Sequence, residues 1–329
     1  PRDYPAGQPG AIYRPGGRSF QITELDRARR RLVAQPARVD YSTVVLGDKE
    51  TEILERLAGR KLGPFPVGLG RLKVTVHIRE YQKKRLFDGE PFSNHPLEIP
   101  PLVFETVGLW IELPEGLPAA FAARDHQFMG SIHAVEHATI GLFPLLAIAD
   151  RDDVGGISYT GHPQTGAPAI FVYDAVPGGA GLAEQGFRDL ESLARRTLEL
   201  VSGCTCDDGC PGCIQSPKCG NGNKPLDKEG ASLVLGMLTG AVELDELGVG
   251  APTRSGDEPL PPFFAPRPAR TSRRHGVVRA GNVEPEPAAS TGPAPAVVGS
   301  ADPGRTLVLD VETQRSAADV GGWGNIERM

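Results

Sequence analysis

From Lys73 the chain alternates, with Val74, Val76 and Ile78 on one side and Thr75, His77 and Arg79 on the other. A period of two predicts a strand with one buried face. Tyr81–Phe87 reads as its partner and Val103–Leu113, which contains Trp110, as a third strand. Nearer the start, Ile12 and Tyr13, a Pro15-Gly16-Gly17 turn, then Phe20 and Ile22 predict a small hairpin. Glu24–Leu32 reads as a short charged helix and Val39–Leu46 as another strand, while Gly59–Gly70 is too rich in glycine and proline to assign. Together these segments predict a curved, mostly antiparallel sheet.

The period then lengthens. Phe128, Met129, Ile132, Val135, Ile140 and Phe143 recur at helical spacing within Asp125–Ile148, and Pro144 should kink or end that helix. Ile157–Thr160 and Ala169–Tyr173 are short apolar strands. The second leads into Asp174 and Pro177-Gly178-Gly179-Ala180-Gly181, then into a helix from Leu182 to Val201 with one apolar face. Asp227 is a good N-cap for a last helix through Leu233–Leu238. Past Ala251 proline, alanine, glycine and serine dominate; such a segment buries too little apolar surface to offset its ordering entropy and reads as a disordered linker. The expected fold class is α+β. A β-rich region spans 1–120, an α/β metal-binding domain with its cysteine loop between helices spans 121–248, the linker spans 249–304, and the first strand of a further domain lies in 305–329.

Composition narrows the function classes. A net charge of −6 rules out nucleic-acid binding by bulk electrostatics, leaving local patches. Lys83-Lys84-Arg85 and Arg27 with Arg29-Arg30-Arg31 are two, and by default both read as solvated faces. The longest apolar run, Ile140–Ala149, is too short to span a bilayer and contains Pro144. With no secretory signal visible, the expected location is cytoplasmic, with no membrane partner. Pro1 at the start and the abrupt end at Met329 read as cuts in a longer protein.

All five cysteines fall in Cys204-x-Cys206-x3-Cys210-x2-Cys213-x5-Cys219. Disulfides fit poorly, because the count is odd and no partner cysteine exists elsewhere. A redox pair at Cys210-Pro-Gly-Cys213 lacks its βαβ setting. Four thiolates around Zn²⁺ fit better, and Gly209, Gly212, Gly220 and Gly222 supply the turns that let sulfurs converge. An iron–sulfur cluster uses the same ligands. A four-sulfur shell has no open position, so its role is structural. One cysteine is surplus: Cys204 is the first candidate for the spare, Cys219 the second.

The stretch CTCDDGCPGCIQSPKCGNGNKPLDK resembles the zinc-binding MZB domain at the C-terminal end of a group of superfamily 2 DEAD/DEAH-box helicases. SIHAVEHATIGLFPL and AIFVYDAVPGGAGLAEQGF are similar to the same family, as are GAIYRPGGRSFQITELD and VDYST near the start. The resemblance implies an accessory region of an ATP-dependent DNA helicase acting in DNA repair, held by four cysteine ligands. It also implies motor domains of the same parent chain that use ATP and Mg²⁺. This chain has no G-x-x-x-x-G-K-[ST] loop and no Asp-Glu-x-His box, so that chemistry does not lie here. Lys218, Lys224 and Lys228, beside the cysteines, are the candidate contacts for single-stranded or partly duplex DNA.

Three other constellations compete. His133-x-x-Glu136-His137 matches an inverted zinc-protease pattern, but no third ligand is identifiable, and packed polar residues are the simpler reading. A protein-interaction module without DNA contact is a further alternative. Pro177–Gly181, between strand and helix, suits either a phosphate or a turn with positive φ, and the turn is preferred. TLVLDVETQ resembles the first motif of DnaQ-like exonucleases in the ribonuclease H-like fold, with Asp310 and Glu312 on one side of a strand as the start of a truncated two-metal site.

Overall fold

Short alternating segments near the start pair with one another before any helix forms. The computed structural model of the chain describes residues 8–252, except 27, 28, 30 and 148, and the backbone of residues 307–310. β1 (Ile12–Tyr13), β2 (Phe20–Asp26) and β3 (Arg31–Pro36) form a small antiparallel sheet over Ala11, Ile22, Leu32 and Ala34. The predicted hairpin is present. The charged helix over Glu24–Leu32 is not: Leu32 and Ala34 are buried two residues apart, and that strand period continues past the end of the helical reading.

β4 (Tyr41–Leu62) and β5 (Phe65–Arg85) make one long antiparallel hairpin, with Leu62 opposite Phe65 and Gly63 at φ 57°. The unassigned Gly59–Gly70 stretch is therefore its turn and flanks. Tyr81–Arg85 continues β5 instead of pairing with it, and the partner of that distal part is β6 (Pro91–Pro96). β7 (Leu102–Glu112) pairs with the proximal part of β5, and β8 (Val154–Tyr159) and β9 (Ala169–Asp174) complete the order β4-β5-β7-β9-β8, with every pairing antiparallel.

This sheet is curved enough that its two ends meet. Thr51 N–H donates to the Tyr159 hydroxyl at 2.8 Å, and His162 Nε2 donates to Thr51 O at 3.0 Å. The Gln164 amide takes the Ile53 N–H at 2.7 Å and donates to Ile53 O at 2.9 Å. Inside the curve lie Ile53, Leu72, Val74, Trp110, Phe171 and Tyr173. Gly68 sits opposite Trp110 across β5 and β7, and a Cβ there would come within 2.2 Å of the indole. Gly68→Ala should therefore destabilise the fold by about 3 kcal/mol in urea titration, as overpacked cores do. Gly63→Asn, at a positive φ with open space around it, should change stability by only a few tenths of a kcal/mol.

Helices cover the outer face. α1 (Leu117–Ala122), α2 (Phe128–Leu142), α3 (Leu182–Arg188), α4 (Leu190–Gly203) and α5 (Lys228–Thr239) enclose a core shared with Phe65, Val67, Leu109, Ile170 and Val172 of the sheet. α2 gives way to a 3-10 turn at Phe143–Leu145, where Pro144 lies. The predicted single helix over Leu182–Val201 is broken at Asp189 (φ −99°, ψ 21°) into α3 and α4. Asp227 caps α5 by accepting from Gly230 N–H at 2.7 Å, and its other oxygen accepts from Gln127 N–H at 2.8 Å at the start of α2. One carboxylate thus ties the start of α2 to the start of α5.

β10 (Leu307–Asp310) pairs antiparallel with β3 at the edge of the small sheet. Residues 253–306, which hold nearly all of the expected linker, lie outside the described residues. Among the described residues no helix is long and apolar enough to cross a membrane.

Candidate metal centre

α4 ends at Gly203, and Cys204 leaves it in an extended conformation (φ −76°, ψ 128°). The chain then folds back so that four sulfurs converge. Sγ–Sγ distances are 3.5 Å for Cys204–Cys206 and Cys206–Cys213, and 3.7 Å for Cys204–Cys210 and Cys210–Cys213. Four sulfurs each ~2.3 Å from one tetrahedral Zn²⁺ would stand ~3.8 Å apart. The donor set therefore fits the ion in both chemistry and size. No disulfide links these cysteines.

The loop around the clamp is pre-set. Cys210 N–H points at Cys213 Sγ at 3.2 Å, the backbone support that thiolates in such sites receive. Gly209 adopts φ 105°, and a side chain there would strike Ile214. Gln215 Nε2 donates to Gly209 O at 2.9 Å. Burial first, then the neighbouring thiols, push the Cys213 thiol well above its ordinary range, so without a cation the group stays protonated. A bound cation would reverse that by direct coordination.

Cys219, not Cys204, is the sulfur left out. Cys204 stays with the clamp because it emerges from α4 directly beside it. Cys219 is instead drawn to α2, where its Sγ lies 3.5 Å from His133 Nε2. His133 and His137 are one helical turn apart, both buried, with ring centroids 4.3 Å apart. His133 Nδ1 is 2.9 Å from Pro225 O, and His137 Nδ1 is 2.9 Å from Ile214 O. The sequence did hold the signal for this trio, in the helical spacing of the histidines and in the odd cysteine. What it could not supply was the long loop that brings them together.

Glu136 is buried and accepts from Ser158 Oγ at 2.8 Å, with the Lys49 ammonium in its field. Held in this way it is an internal counter-charge, and the metallohydrolase reading, which needs it as a free base, is set aside.

The lysines divide. Lys228 Nζ donates to Cys204 O at 2.6 Å and also to Cys206 O. Lys218 Nζ is held by Arg151 O and Val154 O, and burial lowers its pKa to about 8 despite the nearby Asp152. Both ammonium groups are thus spent on the protein's own carbonyls, whereas Lys224 is exposed. Lys83 lies 5.0 Å over the Tyr41 ring and Arg85 pairs with Asp88, as on a solvated face.

The Pro177–Gly181 turn carries positive φ at Gly178, Gly179 and Gly181, as the turn reading requires. Its amides are already taken: buried Asp174 accepts from the N–H groups of Ala180, Gly181, Leu182 and Ala183. No donors remain there for a phosphate from this turn. Asp310 ends β10, and Glu312 lies outside the described residues.

Comparison with known proteins bears on the clamp directly. A family model described as the MrfA Zn-binding domain, MZB, matches residues 135–214. An uncharacterized protein of Methanocaldococcus jannaschii is 40% identical over 110 residues, which cover 98% of that protein and 32% of this chain. The chain belongs to the MZB family. The MZB match takes in all four clamp cysteines and stops before Cys219. ATP-dependent helicase HRQ1 of Saccharomyces cerevisiae is 25% identical over 250 residues, 71% of this chain and 23% of that protein. The chain spans about a quarter of the length of the helicases it matches. A crystal structure of the helicase MrfA bound to DNA aligns with TM-score 0.45 and 24% identity over 71% of this chain and 30% of that one. The MZB domain of this chain is thus a zinc-binding domain with a closed four-cysteine clamp.

Proposed function

We propose that this chain is the zinc-binding accessory region of an ATP-dependent DNA helicase, with a structural rather than catalytic metal. The observation that carries the reading is the four-sulfur clamp inside the MZB match, within a longer alignment to proteins named as ATP-dependent helicases. In this reading the clamp fastens α4 to α5 and so holds the helical layer on the sheet. ATP and Mg²⁺ belong to motor domains of the same parent chain, the location is cytoplasmic, and the process is DNA repair. The region braces the motor and guides single-stranded or partly duplex DNA.

The test is fluorescence anisotropy of a labelled single-stranded oligonucleotide with this chain over a range of salt. Binding that weakens with salt supports the reading, and no binding at low salt would sink the DNA-guiding role. The lysines sharpen it. Lys224→Glu should weaken binding and reduce the salt slope by about one while leaving the melting temperature unchanged. Lys228→Glu should instead loosen the clamp, seen as faster zinc release to a chelator, because its ammonium holds the carbonyls of Cys204 and Cys206.

A further inference from the structure

We propose that His133, His137 and Cys219 form a second Zn²⁺ site, separate from the four-cysteine clamp and reaching outside the MZB match. One donor atom from each of the three residues lies within 4.8 Å of the others. Two sit at i and i+4 on α2, the spacing that puts two imidazoles on one helix face, and the third comes from the loop that returns over that face.

The surroundings prepare these groups as ligands. Each histidine directs Nδ1 at a backbone carbonyl, Pro225 O for His133 and Ile214 O for His137. A carbonyl only accepts, so Nδ1 carries the proton and Nε2 presents its lone pair. This is how metal-binding histidines are commonly oriented. The two carbonyls come from residues on either side of Cys219, so one loop supplies the thiol and orients both rings. Cys219 Sγ stands 3.5 Å from His133 Nε2, so the thiol and that ring face each other across the site.

The arrangement suits a cation. Two Nε2 lone pairs and one sulfur converge on one volume, and a divalent ion can accept from all three. Two neutral imidazoles and one thiolate leave a bound Zn²⁺ with net charge +1, and buried Glu136 lies within electrostatic reach of His133. Three protein ligands leave a fourth position for water, unlike the clamp. Imidazole with thiolate selects Zn²⁺ over Mg²⁺ or Ca²⁺, which prefer oxygen.

The experiment is zinc content by plasma mass spectrometry, with zinc-edge X-ray absorption, on the purified full chain. The expected result is two zinc ions per chain and a mixed shell, with nitrogen at ~2.0–2.1 Å beside sulfur at ~2.3 Å. Cys219→Ser and, separately, His133→Ala should each leave one zinc in an all-sulfur shell, while Cys210→Ser should leave one in a mixed shell. A single zinc with only sulfur neighbours in the unaltered chain overturns the proposal, and so do two ions retained in both Cys219→Ser and His133→Ala. If those variants fail to fold, the absorption spectrum of the unaltered chain decides alone. Failure here would leave the clamp untouched, because the clamp is read separately by its all-sulfur shell.

Discussion

Cys210→Ser will empty the four-cysteine clamp, and residues 204–213 will lose their fold with the ion. Burial does little for this part of the loop: Cys213 is buried, and the other clamp cysteines are partly exposed. Structural zinc contributes ~10–16 kcal/mol to small zinc-finger peptides that are otherwise unfolded. Here the sheet and helices have their own core, so the loss should be a fraction of that, at least about 4 kcal/mol. The expected readout is a melting temperature lower by roughly 10 °C, with proteolysis confined to residues 204–213. Cys219→Ser should spare the clamp's zinc. If Cys210→Ser keeps a full complement of zinc, the assignment of the clamp fails.

Asp174→Ala should be nearly as damaging, although the residue touches neither metal nor surface. Its carboxylate accepts from four successive backbone N–H groups at the entry to α3, among them Gly181 at 2.8 Å and Ala183 at 2.7 Å. The same residue's backbone carbonyl takes the Thr106 hydroxyl at 2.7 Å, so the strand end and the helix start share one anchor. Truncation strands buried donors, each costing about 1–3 kcal/mol, though relaxation and water recover part of the sum. A net loss of about 4 kcal/mol in urea unfolding is expected. Asp174→Asn is the sharper probe. Its amide offers one acceptor oxygen and turns an NH₂ group toward donors, so it should recover less than half of the loss. A variant as stable as the original would show that water, not charge, satisfies these amides.

Where sequence reading worked, a local rule was enough. The alternation at Lys73, the Asp227 cap, the stop near Pro144 and the glycines of Pro177–Gly181 each follow from backbone preference or side-chain period. It failed where distance along the chain mattered. Gly59–Gly70 could not be assigned because its glycines answer to partners elsewhere: Gly68 to Trp110, and Gly70 to Glu55 O, 2.1 Å from where a Cβ would stand. Tyr81–Arg85 looked like a new strand because nothing local marks how far β5 runs. The spare cysteine was misjudged for the same reason. Cys219 is parted from the clamp by its attraction to a helix 86 residues earlier, and no spacing rule within the cysteine run encodes that. Lys218 and Lys228 read as candidate DNA contacts, but both are drawn inward by backbone carbonyls, of Arg151 and Val154 for Lys218 and of Cys204 and Cys206 for Lys228.

The Gln164 amide has a consequence beyond closing the sheet. By offering a carbonyl and an N–H to Ile53, it stands in for one residue of a neighbouring strand. With Tyr159 and His162 engaging Thr51, it takes up the outward-facing backbone at the middle of β4. A long edge strand is otherwise a template on which another polypeptide can pair. A side-chain plug blocks that addition without requiring a further strand, so the chain can keep its longest ribbon from recruiting a second copy of itself.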